Sequence, residues 1–67
     1  NKVFWVEENG LIFALLLNAA DEEIIQTVIA QQPKKVIALD RLFNGNDARK
    51  KNTELQMQDA GITFFVI

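Results

Sequence analysis

Sixty-seven residues allow one domain, and a chain this short buries only about 60% of the surface its unfolded form exposes, so its core has to be dense. Hydrophobic residues make up 49% of it, there is neither Cys nor His, and nine acidic against seven basic residues leave a net charge of -2. That composition excludes disulfides and thiolate or imidazole metal centres, removes the commonest general base, and gives no overall field that favours nucleic acid.

The chain enters an apolar strand pattern at Val3 without an initiator Met, which points to a piece of a longer protein with Asn1 as a leftover residue. Val3-Phe4-Trp5-Val6 reads as a strand, Glu7-Glu8-Asn9-Gly10 as a turn, and Leu11 to Leu17 as a second strand. Asn-Gly between two apolar runs is the strongest short hairpin signal, because both residues accept positive φ. The second run is apolar at all seven positions, which predicts a central strand buried on both faces. It is also the longest such run, far short of the roughly 20 residues of a membrane-spanning helix. With no signal peptide evident either, a cytoplasmic protein is expected and no membrane partner.

Asn18 or Asp21 caps a first helix, and Asp21-Glu22-Glu23 suits the positive end of its dipole. Ile24, Ile25, Val28 and Ile29 form one apolar stripe, and Pro33 ends the helix. Val36-Ile37-Ala38-Leu39-Asp40 is then a buried strand ending on a carboxylate, followed by a loop containing Gly45 and two Asn. Asn46 or Asp47 caps a second helix that runs to about Ala60 before Gly61. That helix is weakly amphipathic: Leu55 shares a face with Asn52 and Met57 points elsewhere, so its buried stripe must include polar residues or it must have two contacts. Ile62 to Ile67 closes the chain as a strand in which Phe64 and Phe65 face opposite sides. The fold class is therefore α/β: residues 1–67 form a single small ββαβαβ domain with an N-terminal hairpin, two helices and a mixed, mostly parallel sheet.

Ligands of open α/β sheets sit at the carboxyl ends of strands, which makes Asp40 to Asp47 the first stretch to weigh for chemistry. No second carboxylate, His or Cys is placed to complete a site with Asp40, so accepting backbone N–H groups of the following loop is its ordinary duty. Phe43 to Asp47 lacks the spaced glycines of a dinucleotide fingerprint and the Gly-Lys-Ser/Thr ending of a P-loop, and an Asp cap would oppose a phosphate. Arg49-Lys50-Lys51 is the one basic cluster. It lies where the helix dipole slightly disfavours cations, so a partner or DNA contact would explain it, against a solvated face paired with Glu54. The aromatic residues have almost no interleaved cations and read as core or interface, with Phe64-Phe65 pointing to a partner surface.

Val36 to Asp40, then Phe43, Gly45-Asn46-Asp47, Lys50, Asn52, Leu55-Gln56 and Gly61-Ile62-Thr63-Phe64 resemble the carboxy-terminal tail of type III restriction-modification DNA methyltransferases, the modification subunits. In that family the tail reads as an apolar strand ending in Asp, a Phe, Gly-Asn-Asp, Lys-Thr-Asn, an apolar residue, Gln, and a closing Gly-apolar-x-Phe strand. The likeness covers the second half well and the first half in layout. The chain departs from the pattern at Lys51, where Thr is usual, and at Arg49.

The resemblance implies a parent that methylates adenine N6 in DNA with S-adenosylmethionine, alongside a helicase-nuclease restriction subunit. The family's Asp-Pro-Pro-Tyr-like and Phe-x-Gly-x-Gly motifs are absent from these residues, so no catalytic, cofactor or metal residue carries over. What remains is a non-catalytic carboxy-terminal domain. Its expected partners are the rest of the parent, a second copy or the restriction subunit, with DNA reached through the parent. Asp40, Gly45, Asn46, Asp47 and Asn52 are structural positions in this reading, and Arg49, Lys50 and Lys51 the candidate contacts. Two other classes compete: a free-standing small-ligand or nucleotide-binding module using the Asp40 to Asp47 rim, and a DNA-contacting accessory domain using the three cations.

Overall fold

A computed structural model describes residues 2–67; Asn1, read above as a leftover, lies outside the described residues. The elements are β1 (Val3–Glu8), β2 (Leu11–Leu16), α1 (Glu22–Ala30), β3 (Lys35–Ala38), a 3-10 turn (Asp40–Phe43), α2 (Asp47–Asp59) and β4 (Thr63–Val66). They build one four-stranded sheet in the order β1-β2-β3-β4. β1 pairs antiparallel with β2, and β2, β3 and β4 are parallel. The ββαβαβ mixed sheet expected from the sequence is the one observed.

Local chemistry explains most element boundaries. Asn9 and Gly10 both take positive φ, 55° and 80°, as the tightest right-twisting hairpin requires. Asp21, not Asn18, is the side-chain cap of α1: its carboxylate accepts the Ile24 N–H at 3.0 Å. At α2 the cap is Asn46, whose side-chain oxygen accepts the Arg49 N–H at 3.0 Å, and Asp47 follows as the first-turn acid. Gly61, at φ 73°, lets the chain leave α2 and enter β4.

The core lies on one side of the sheet. Ala14 and Leu16 of β2 and Val36 and Ala38 of β3 are buried beneath Ile24, Ile25 and Val28 of α1 and Met57 of α2. Phe43, at the end of the 3-10 turn, is 1% exposed and fills the space where the two helices meet the strand exits. α2 contributes a narrow seam, Thr53 and Met57, and Leu55 is 46% exposed. The Thr53 hydroxyl donates to the Arg49 carbonyl at 3.0 Å, which is how a polar group is accommodated in that seam.

One expectation needs correcting. β2 is central, but it is buried on one face only: Ala14 and Leu16 are inside, while Phe13 and Leu15 are half-buried and Leu11 is exposed. The physical reason is the topology. The strands β2, β3 and β4 follow one another in sequence across the sheet, so both crossovers deposit their helices on the same side and nothing in the described chain covers the other.

Burial separates the two large side chains most easily confused in the sequence. Phe43→Ala should lower the unfolding free energy by about 3–5 kcal/mol, enough to unfold much of so small a domain. Leu55→Ala should stay within about 0.5 kcal/mol. Urea unfolding followed by Trp5 fluorescence reads both.

Candidate functional site

The first candidate region is the strand exit. The sheet continues past β3 and β4 here: the Asp40 N–H donates to the Ile67 carbonyl at 2.8 Å, and the Ile67 N–H to the Ala38 carbonyl at 2.9 Å. The 3-10 turn then carries Leu42 and Phe43 down into the core, and Asn44 and Gly45, with φ of 50° and 73°, reverse the chain into α2. The rim that a ligand could use is thus occupied by the chain's own turn.

Its polar side chains are spent on the same purpose. The Asp40 carboxylate accepts from Lys50 Nζ at 2.9 Å rather than from the loop backbone expected of it. Arg49 donates to the Ala20 carbonyl at 2.9 Å and the Leu42 carbonyl at 2.6 Å, and its guanidinium lies 5.2 Å from the centre of the Phe43 ring. Arg41 donates to the Leu17 carbonyl at 2.9 Å. Both arginines therefore reach from the second crossover to the β2–α1 connection and satisfy carbonyls that neither helix nor sheet pairs. Of the basic cluster, Arg49 acts as this clasp, Lys50 as the partner of Asp40, and Lys51 is exposed on α2. Asn52 is exposed within α2, away from either cap.

The Lys50 ammonium is held above its ordinary value of 10.5, first by the hydrogen bond to Asp40 and then by that carboxylate's charge, with Asp47 and Glu54 adding to it. Both partners are substantially open to water, so the pair adds little to stability. Among the described residues no group of three or more His, Cys, Asp or Glu side chains could hold a metal ion.

The second region is the uncovered sheet face, which the strand register defines. Residues paired across neighbouring strands point to the same side, so Phe4, Leu15, Ile37 and Phe65 form one row across all four strands. Val6, Phe13, Lys35 and Thr63 form the next. Phe4 is 57% exposed, Val6 44%, Phe65 49%, and Ile67 beyond β4 71%. A shallow groove of about 310 Å³ runs between Phe4, Val6, Phe13, Leu15 and Ile37. The Lys35 ammonium lies over the Phe65 ring at 5.6 Å and partly shields this surface.

Taking about 200 Å² for a fully exposed large apolar side chain, the outward residues present on the order of 600 Å², the top of the range for ordinary monomers. A sheet that shows one face to water normally alternates apolar inside with polar outside. Here Lys35 and Thr63 are the polar members of eight outward positions in the two rows. The sequence left open which of Phe64 and Phe65 needs cover, and the structure turns Phe65 outward. Phe13 and Leu15 were expected on a strand buried on both faces and Ile37 on a buried strand, and the signal that could have found the first two is the unbroken apolar run of β2 in a domain with too few helices.

No family model, curated protein or solved structure matches the chain.

Two measurements follow. Arg49→Ala should cost about 1.5–3 kcal/mol, since two carbonyls lose a charged donor, while Lys51→Ala should stay within about 0.5 kcal/mol; chemical denaturation compares them. For Lys50, a raised pKa in the folded chain means that the stability it confers is fully present below 10.5 and is lost as pH rises through the higher folded value. Asp40→Asn should lower the titration midpoint of the Lys50 ε-methylene in carbon NMR. Its stability deficit relative to wild type should shrink once alkaline pH removes the lysine charge.

Proposed function

We propose that this chain is a non-catalytic protein-contact domain, and that it belongs to the carboxy-terminal part of a DNA adenine-N6 methyltransferase of the type III restriction-modification kind. The observation that carries the first half of this reading is the uncovered apolar sheet face. Every strand contributes a large apolar side chain to one row of it, and no solvated sheet face needs that. The second half rests on the sequence resemblance of Val36 to Phe64.

In this reading the strand-exit stretch does structural work. Asp40, Gly45, Asn46 and Asp47 form the turn between β3 and α2, Arg49 ties that turn to the neighbouring connection, and chemistry on DNA belongs to the rest of the parent, which would bind S-adenosylmethionine. The contact surface is the open sheet, and its partners are the parent's other domains, the restriction subunit or a second copy. No described helix is long and apolar enough to cross a membrane, so the apolar face is not explained by a helical span.

The parent is tested by the genomic sequence upstream of Asn1, which should encode Asp-Pro-Pro-Tyr-like and Phe-x-Gly-x-Gly motifs; an upstream region without them overturns the assignment. The contact role is tested on the chain itself. Its melting temperature should not move with saturating S-adenosylmethionine or ATP, and any DNA affinity should be unaffected by replacing Arg49, Lys50 and Lys51 with Ala. A rise of several degrees with either ligand would favour a ligand-binding module. Salt-sensitive DNA binding lost in the triple variant, and lost equally in a Lys50→Ala, Lys51→Ala variant that keeps the Arg49 clasp and a native circular dichroism spectrum, would favour a DNA-contacting domain.

A further inference from the structure

We infer that the outer edge of β4 takes up an added β-strand from a different protein, an extended segment with an arginine flanked by apolar residues. This goes beyond the contact role of the open face, because it uses the rim of the sheet and the cleft beside α2.

The backbone carries the first part. β4 is the last strand of the sheet, and its inner side is bonded to β3: the Ile67 N–H donates to the Ala38 carbonyl at 2.9 Å, and the Ile67 carbonyl accepts the Asp40 N–H at 2.8 Å. Successive residues of a strand alternate in direction, so Phe65 engages β3 in the same way, and the N–H and C=O groups of Phe64 and Val66 point off the sheet. Such edges are normally blunted by charge, proline or a bulge. Thr63-Phe64-Phe65-Val66, in regular register with β3, has none of these, whereas β1 at the opposite edge ends in Glu7 and Glu8. Backbone groups in this spacing recognise one chemistry, the backbone of another extended chain.

The cleft alongside specifies a side chain. Phe64 and Val66 pair with buried Val36 and Ala38 and therefore lie on the helix side of the sheet. There Glu54 and Gln58, one turn apart on α2, form with Ile62 and Phe64 an open cleft of about 360 Å³. Glu54 is half-buried, and among the described residues it makes no hydrogen bond or ion pair; Lys50, one turn before it, is bonded to Asp40 instead. Side chains level with one another on neighbouring strands share a side of the sheet, so the residue of the added strand beside Phe64 enters this cleft. A guanidinium fits it: it pairs with the carboxylate, stacks on the ring, and keeps donors for the Gln58 carbonyl.

Nuclear magnetic resonance titration of the intact 67-residue chain with the peptide acetyl-Thr-Val-Thr-Arg-Thr-Val-Thr-amide, up to millimolar, tests the proposal. That sequence reads the same in both directions and so leaves the strand orientation free. The Phe64 and Val66 amides should gain roughly tenfold or more protection from hydrogen exchange, and the Phe65 amide, already bonded to β3, should gain little. Glu54→Gln in the chain, or norleucine for arginine in the peptide, should each weaken binding roughly tenfold, as loss of a charge-assisted hydrogen bond does. Val66→Pro removes an outward donor and leaves the ladder to β3 intact, so it should abolish binding while circular dichroism stays native. Glu54→Gln keeps the test independent of how the proline variant folds.

No binding at millimolar peptide, or binding unchanged in Glu54→Gln or in a folded Val66→Pro, overturns the proposal. Shifts confined to Phe4, Leu15, Ile37 and Phe65 also overturn it and leave the open face standing as the contact surface. Protection of Phe64 and Val66 that grows with chain concentration in the absence of peptide would assign the edge to a second copy, and overturns it likewise.

Discussion

The constraint on which everything else in this domain depends is that β2, β3 and β4 are laid down in chain order, each beside the last. Two strand–helix–strand units advancing in one direction put both helices on one face, because the hand of such connections is fixed by strand twist. A doubly wound sheet reverses direction and covers both faces; this one does not. From that single fact follow the one-sided core, the small residues Ala14 and Ala38 beneath the helices, and the bare opposite face. It also explains why α2 can be so polar. Sharing its face with α1 and Phe43, it needs to bury only Thr53 and Met57.

The same layout creates a polar problem at the carboxyl edge, which the chain solves internally. Two connections crowd together there, and their carbonyls at Leu17, Ala20 and Leu42 fall outside helix and sheet ladders. Arg41 and Arg49 supply the missing donors. Arginine suits this because its planar fork can reach two carbonyls at once and stack on Phe43 while doing so. The cost is that the strand-exit loop, where many α/β proteins bind ligands, has its cations turned inward and its carboxylate matched to Lys50. Across the exposed tops of the helices, Gln26 and Gln56 bond to each other and to Glu22, a weaker link of the same type.

Most of the fold was legible in the sequence because local chemistry and pattern agree. Asn9-Gly10 specifies the hairpin, the acidic triplet opens α1, the stripe Ile24, Ile25, Val28 places its face, and Gly61 ends α2. What the sequence could not separate were two caps of equal quality: Asn18 against Asp21, and Asn46 against Asp47. A pattern says which residue types can cap, whereas the backbone entry angle decides which one does. The duties of Arg49 and Lys50 were hidden for a related reason, since their partners Ala20, Leu42 and Asp40 are set by tertiary proximity. Adjacent in sequence as a basic run, they point to different partners in space. The one-sided burial of β2 was misread because an unbroken apolar run reports that both faces want cover without reporting whether this chain supplies it.

That last point bears on why the open face is unlike a chance excess of surface apolar residues. A 67-residue chain without Cys, and so without disulfides, has little stability in reserve, and outward Phe, Leu and Ile residues gain it little while alone. Placed in a single row and mirrored from edge to edge, they become useful only when a complementary sheet or helix layer is brought against them. Anything that binds the folded form stabilises it by mass action. On the contact-domain reading proposed above, association and folding would be coupled: a partner would complete the layer that two same-sided helices leave out, and would reinforce the core of the isolated domain.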